Sequence, residues 1–141
     1  MKYFGVMTDL SGKPLSLKLG IKEDSTLALL HAPTSFRLNV PPGVMVKRVA
    51  RGHVDVVLGF YLRVSRLERE IETLGLMAFP AGGLWIAWPK RASDVATDVT
   101  DNAIREIALP LGLVDNKVCA MDETWTALRL AWRRTRRSSR D

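Results

Sequence analysis

The chain has 141 residues, of which 47% are hydrophobic and 26% charged, and its formal net charge is +6. This balance predicts one soluble globular domain and excludes a membrane-spanning helix, which needs roughly 18 consecutive apolar residues. The start of the chain has no apolar segment of the signal-peptide kind, and the lone Cys119 excludes an internal disulfide, so we expect a cytoplasmic protein. Residues 133–141 hold five arginines and one aspartate (+4), which leaves the remaining body close to +2.

Apolar segments in chain order predict the strands of one sheet. We expect strands over residues 26–32, 44–47, 55–61, 82–90, 113–121 and 125–132. After the Gly82-Gly83 pair, the segment Leu84-Trp85-Ile86-Ala87-Trp88 is apolar at every position, which is typical of a central strand with both faces covered. The brief 44–47 segment ends in charge and is expected nearer a sheet edge. Only residues 48–54 separate it from the next strand, so we expect an extended linker without a helix.

Two helices are predicted beside the central strand, over residues 65–77 and 98–109, and we expect one above and one below the sheet. Ser65 and Glu68 have the spacing of a capping box. Leu67, Ile71 and Leu74 then share one face, with Arg66, Glu70 and Glu72 outside. Either Asp98 or Thr100 caps the second helix, and Pro110 with Gly112 ends it.

The predicted organisation is an α/β sheet of five or six mostly parallel strands that ends in an antiparallel hairpin. We expect an extended or partly disordered segment over residues 1–12, one domain over residues 13–132, and an Arg-rich mobile tail over residues 133–141.

The order of these segments resembles the second half of a class I methyltransferase across residues 55–132. In that fold a turn similar to Pro80-Ala81-Gly82-Gly83 introduces a central strand, and an antiparallel pair ends the sheet. A second resemblance covers nearly the whole chain. The segments Trp88-Pro89-Lys90, Thr97-Asp98-Val99-Thr100 and 117–125 look like a bacterial family known as domain of unknown function 3052. That resemblance implies a small Rossmann-like domain, a three-layer sandwich, without an established activity.

The methyltransferase resemblance implies a glycine-rich turn after the first strand and an acidic residue after the second. The first strand instead ends in Leu30-His31-Ala32-Pro33-Thr34, and the second ends in Lys47-Arg48. We therefore expect no cofactor, and in particular we do not expect S-adenosylmethionine (SAM) to bind.

Ligands of an open α/β sheet bind beyond the carboxyl ends of its strands. Those ends, with the start of the 98–109 helix, supply the candidate ligand-binding residues His31, Tyr61, Trp88, Lys90, Arg91 and Thr100. A lysine, an aromatic face and a helix start would suit an anionic small ligand between Lys90, Arg91 and that helix. The alternative is that Trp88 belongs to the core, Lys90 is solvated and Thr100 only caps the helix.

The pattern contains no catalytic motif, and neither His31 nor His53 has a partner at metal-ligand spacing. We expect a non-catalytic binding or interaction module whose partner is an anionic small molecule or a protein, with no membrane partner. Two alternatives remain open. One is a divergent methyltransferase-like enzyme that uses the His31 and Lys90 end. The other is a nucleic-acid-associated protein whose arginine tail contacts phosphates.

Overall fold

The computed structural model describes residues 14–134, and it contains six strands and three α-helices. The helices are α1 (Leu15–Lys18), α2 (Val64–Ala78) and α3 (Asp101–Ala108), with short 3-10 turns at Arg91–Ser93 and Leu109–Leu111. The strands are β1 (Thr26–Leu30), β2 (Met45–Lys47), β3 (Val56–Phe60), β4 (Gly83–Pro89), β5 (Leu113–Ala120) and β6 (Trp125–Trp132). The predictions for the 1–12 segment and for residues 135–141 of the tail lie outside the described residues.

All six strands form one sheet in the order β2-β1-β3-β4-β6-β5. β2, β1, β3 and β4 pair in parallel, whereas β6 runs antiparallel to both β4 and β5. The α/β class, the mostly parallel sheet and the closing hairpin are therefore confirmed. β2 lies at one edge of the sheet, as its brevity and terminal charge predict.

The two faces of the sheet are covered differently. Alternate strand residues such as Val57, Leu84 and Ile86 pack under both α2 and α3. The other face, which includes Leu58 and Trp85, is covered by α1 and by the irregular segment over residues 32–44. The prediction of one long helix above the sheet and one below it is wrong, since α2 and α3 share a face.

The handedness of the connections explains this arrangement. Both the β3-α2-β4 and the β4-α3-β5 connections move across the sheet in the same direction, and right-handed crossovers then place their helices on the same face. Among the connections between parallel strands, only the β1–β2 connection moves the opposite way, and it contains no helix. Aromatic and aliphatic side chains of that irregular segment, including Phe36, supply the missing cover.

The β2–β3 linker contains no helix, as predicted, although the two strands are not neighbours because β1 lies between them. Val54 within this linker is fully buried on the α2 face, and its amide donates to the Met77 carbonyl oxygen at 2.9 Å. The extended linker therefore crosses the sheet on the same side as α2.

Helix α2 begins one residue earlier than predicted and has no capping box. Its N-cap is Arg63, whose side chain makes no capping hydrogen bond. Instead the Asp98 carboxylate accepts from the Val64 amide at 2.8 Å, which joins the loop before α3 to the start of α2. A carboxylate at a helix start is favourable because it meets free amides and the positive end of the helix dipole.

Candidate functional site

The carboxyl ends of β1 and β3 form the point where the chain reverses its direction across the sheet. From β1 the chain first moves outward to β2 and then returns to β3 on the other side of β1. Such a topological switch point leaves a crevice because the two connections diverge from it. A cleft of about 340 Å³ lies here and includes His31, Pro33, Phe60, Tyr61, Arg66 and Trp125 in its lining.

Two predicted site residues, His31 and Tyr61, come together at this crevice. His31 directly follows β1 and Tyr61 directly follows β3, and their rings meet edge to face with centroids 5.4 Å apart. The His31 backbone adopts a φ of 60°, in the left-handed region that glycine favours. The chain thus leaves β1 with the backbone conformation that a glycine turn would provide, although histidine occupies the position.

Glu70 of α2 links these residues into one network. Its Oε1 atom accepts from the Tyr61 hydroxyl at 2.5 Å and lies 2.9 Å from His31 Nε2. Its Oε2 atom accepts from Arg66 Nε at 3.1 Å, one helical turn earlier. Arg66 also approaches His31 Nδ1 at 3.3 Å, which suits a neutral imidazole whose proton is on Nε2.

The network controls the charge on two of its members. Burial, reinforced by the hydrogen bond to Glu70, raises the pKa of Tyr61 well above its usual value, so the phenol keeps its proton. Burial alone would raise the pKa of Glu70, but the hydrogen bonds from Tyr61, His31 and Arg66 outweigh it and hold that pKa below its ordinary value. At neutral pH Glu70 is therefore an anion whose two oxygens are both engaged.

Gly59 makes room for the Tyr61 ring. A Cβ atom at Gly59 would lie 2.9 Å from Tyr61 Cε2, closer than carbon atoms pack. The ring is only 1% exposed, so it has little freedom to move away. The glycine inside β3 is thus needed to position the phenol against Glu70.

The other predicted site residues lie outside this cleft lining. Trp88 is partly buried against the core beneath α2 and α3, and Arg91 is exposed. The Lys90 ammonium donates to the Asp122 carbonyl oxygen, which holds it against the β5–β6 turn. Thr100 caps α3, with its Oγ1 accepting from the Ala103 amide at 3.1 Å. An anion site formed by Lys90, Arg91 and Thr100 stays a prediction.

Sequence reasoning missed Glu70 and Arg66, which it placed on the solvent side of the helix. Their i, i+4 spacing near the start of a helix that follows β3 was the available signal.

The described residues offer neither a metal-binding cluster nor a reactive thiol as another candidate site. Within residues 14–134, no group of three or more His, Cys, Asp or Glu could hold a metal ion. Cys119 is buried, and burial raises the pKa of its thiol.

No protein-family model matches the chain, so the resemblance to the domain of unknown function is unconfirmed. No curated protein matches the sequence. Likewise, no helix within residues 14–134 has the length and apolar character needed to cross a membrane.

Solved structures do share the fold. A SAM-dependent methyltransferase from Aquifex aeolicus superposes with a TM-score of 0.58 at 11% identity, covering 81% of this chain and 85% of its own. Magnesium protoporphyrin IX methyltransferase from Synechocystis PCC 6803 with bound SAM gives a TM-score of 0.54 at 11% identity, covering 84% of this chain and 74% of its own. The fibrillarin pre-rRNA processing protein from Methanococcus jannaschii gives a TM-score of 0.52 at 13% identity, covering 94% of this chain and 84% of its own. The chain therefore has the small Rossmann-like fold of the SAM-dependent methyltransferases.

These neighbours contradict the prediction that the chain takes no cofactor, because they point towards SAM. The reasoning behind that prediction was that a strand end without glycine cannot form the cofactor turn. His31 shows the weakness of this reasoning, since its backbone enters the left-handed region without being glycine.

Proposed function

We propose that this chain is a SAM-binding protein of the methyltransferase type, with the ligand in the cleft lined by His31 and Tyr61. The observation that carries the proposal is the position of this cleft at the topological switch point of a fold shared with SAM-dependent methyltransferases. In open α/β sheets this crevice is the usual place for a nucleotide-like ligand.

The cleft contains groups that suit the chemical parts of SAM. Phe60 and Trp125 meet edge to face with centroids 5.0 Å apart and offer an aromatic wall to an adenine ring or a sulfonium cation. Arg63 lines the same cleft and is exposed, and its side chain makes no hydrogen bond or ion pair with another of the described residues. Its guanidinium would hold the carboxylate of the ligand's amino-acid end.

One feature of the chain weakens the fit. β2 ends in Lys47-Arg48 where an acidic residue would hold the ribose hydroxyls, and Lys47 Nζ donates to the Arg51 carbonyl oxygen at 3.2 Å. The ribose would then depend on weaker contacts, so we expect an affinity below that of a typical methyltransferase.

Bound SAM supplies an electrophilic methyl group, and transfer to a hydroxyl would need a base beside it. His31 already uses both ring nitrogens within the network, and Tyr61 keeps its proton. The cleft lining contains no carboxylate. These observations favour binding without transfer, or transfer to an acceptor that is nucleophilic without deprotonation.

The test is calorimetry of the full chain with SAM and with its demethylated product. We expect a saturable one-to-one isotherm that Arg63→Glu weakens at least tenfold. Arg69→Glu, an equal charge change on the same helix outside this cleft lining, should leave it unchanged. No saturable heat with either compound, or an equal affinity in Arg63→Glu, would refute the proposal.

A further inference from the structure

The opposite end of the sheet contains a larger pocket of about 630 Å³. It lies at the amino ends of the parallel strands, and its lining includes Ser25 before β1, Asp55 before β3 and Gly83 at the start of β4. His53 and Arg129 are also part of this lining. The pocket is separate from the switch-point cleft, since the two share no lining residue.

Arg129 is the unusual residue of this pocket. It comes from the middle of β6 and is half-buried, yet its side chain makes no hydrogen bond or ion pair with any residue between 14 and 134. Burial lowers the pKa of its guanidinium, and no carboxylate in the described part of the chain counteracts that effect. By contrast, Arg105 is paired with Asp115 at 2.9 Å and with Asp101 at 3.3 Å. A cation that loses water without gaining a partner destabilises the fold.

The backbone makes space for this guanidinium. A Cβ atom at Gly83 would lie 2.7 Å from Arg129 Nε and 2.9 Å from one terminal nitrogen. Arg129 therefore rests on bare backbone at the start of β4, where only glycine permits such an approach. Gly83, the first residue of the central strand, thus gives the guanidinium its position at the pocket wall.

We propose that this pocket binds a small ligand through one carboxylate or phosphate group held by Arg129. A guanidinium offers parallel N–H donors that match two oxygens of such a group. Glu23, Asp24 and Asp55 also line the pocket, and the Asp55 carboxylate already accepts from the Thr26 amide at 2.8 Å and from its hydroxyl at 3.1 Å. These three carboxylates outnumber the two lining cations Lys22 and Arg129 and would repel a polyanion, so the ligand carries a single anionic group.

The experiment measures the melting temperature of the full chain at fixed pH and ionic strength. Chloride is replaced stepwise by inorganic phosphate, by acetate or by tripolyphosphate. Arg129→Met removes the charge but keeps most of the aliphatic side chain. Lys117→Met is the matched control, because Lys117 is exposed and pairs with Arg129 across the β5–β6 ladder.

We expect phosphate or acetate to raise the melting temperature saturably, by about 4 °C at a tenfold excess over the dissociation constant. The effective anion identifies whether the group is a phosphate or a carboxylate. Lys117→Met should keep the rise and Arg129→Met should lose it. Without added anion, Arg129→Met should melt no lower than the wild type.

Three results would overturn the proposal. They are the absence of a saturable rise in the wild type, an equal rise in Arg129→Met, and a stronger response to tripolyphosphate than to phosphate. A fourth result would overturn it as well: a drop of several degrees in Arg129→Met in chloride alone would show that the chain itself supplies the partner of the guanidinium.

Discussion

Glu70 at the carboxyl ends of the parallel strands and Arg129 at their amino ends differ in whether their charges have partners. At the carboxyl ends, the Glu70 carboxylate is engaged by Tyr61, His31 and Arg66. At the amino ends, the half-buried Arg129 has no partner among residues 14–134. Because a desolvated charge is stabilising only when its partners replace the lost water, the first end supports the fold and the second reduces its stability. Removing a charge should therefore have opposite effects at the two ends.

The largest expected effect is at Glu70. Glu70→Leu should lower the free energy of unfolding by about 2–3 kcal/mol, because the buried Tyr61 hydroxyl then lacks its acceptor. Glu70→Gln keeps one acceptor oxygen and should lose less. Urea denaturation of the three proteins measures the difference.

The matched control for Glu70 is Glu72→Leu, two residues along the same helix. Glu72 is exposed, so its replacement should change the free energy of unfolding by no more than about 0.5 kcal/mol. If the two leucine variants unfolded at the same urea concentration, the network would contribute nothing to the fold.

A smaller loss is expected for Tyr61→Phe, which removes one donor and leaves the ring in place. Glu70 keeps His31 and Arg66, so the free energy of unfolding should fall by only about 1 kcal/mol. Combining Tyr61→Phe with Glu70→Leu in a double-mutant cycle tests the coupling. Fully additive effects would mean that the hydroxyl and the carboxylate do not depend on each other.

Much of the fold could be predicted from the sequence because the strands β1, β3 and β4 are buried on both faces. Segments such as β4 then consist almost entirely of apolar residues, and Leu67, Ile71 and Leu74 mark the buried face of α2. The segments that cover each face of the sheet could not be predicted in the same way. It depends on the strand order and on the handedness of the connections, and neither is a property of a local pattern.

The candidate site was predictable only in part. His31 and Tyr61 follow buried strands, so the sequence places them at the carboxyl edge. Glu70 was missed because its partners His31 and Tyr61 are 39 and 9 residues away. Arg129 is one charged residue within the predicted 125–132 strand, and nothing in that segment of the sequence indicates what its side chain contacts. Only the pairing of β6 with β4 brings it to Gly83.

Acid titration tests the network around Glu70 without removing any of its side chains. The folded pKa of Glu70 lies below its unfolded value of about 4.3, so its contribution to stability is complete above that pH. The contribution is lost as the pH falls through the folded pKa. The difference in unfolding free energy between wild type and Glu70→Gln should therefore shrink as the pH falls below about 4. Because the Glu70 side chain is 31% exposed, solvent screening keeps this effect small. A difference that persists undiminished to pH 3 would contradict it.

The smallest expected effect on stability is at Gly83, and it tests whether Arg129 is truly unpaired. The Cβ atom of Gly83→Ala would meet only the end of a flexible side chain. A guanidinium without a partner can move away at little cost, so the free energy of unfolding should change by no more than about 0.5 kcal/mol. The displaced Arg129 should then no longer give the stabilisation by phosphate or acetate proposed for the pocket. A guanidinium held by an ion pair could not move without breaking that pair. A loss of more than 1 kcal/mol in urea denaturation would therefore show that Arg129 is fixed, and the contrast between the two ends of the sheet would disappear.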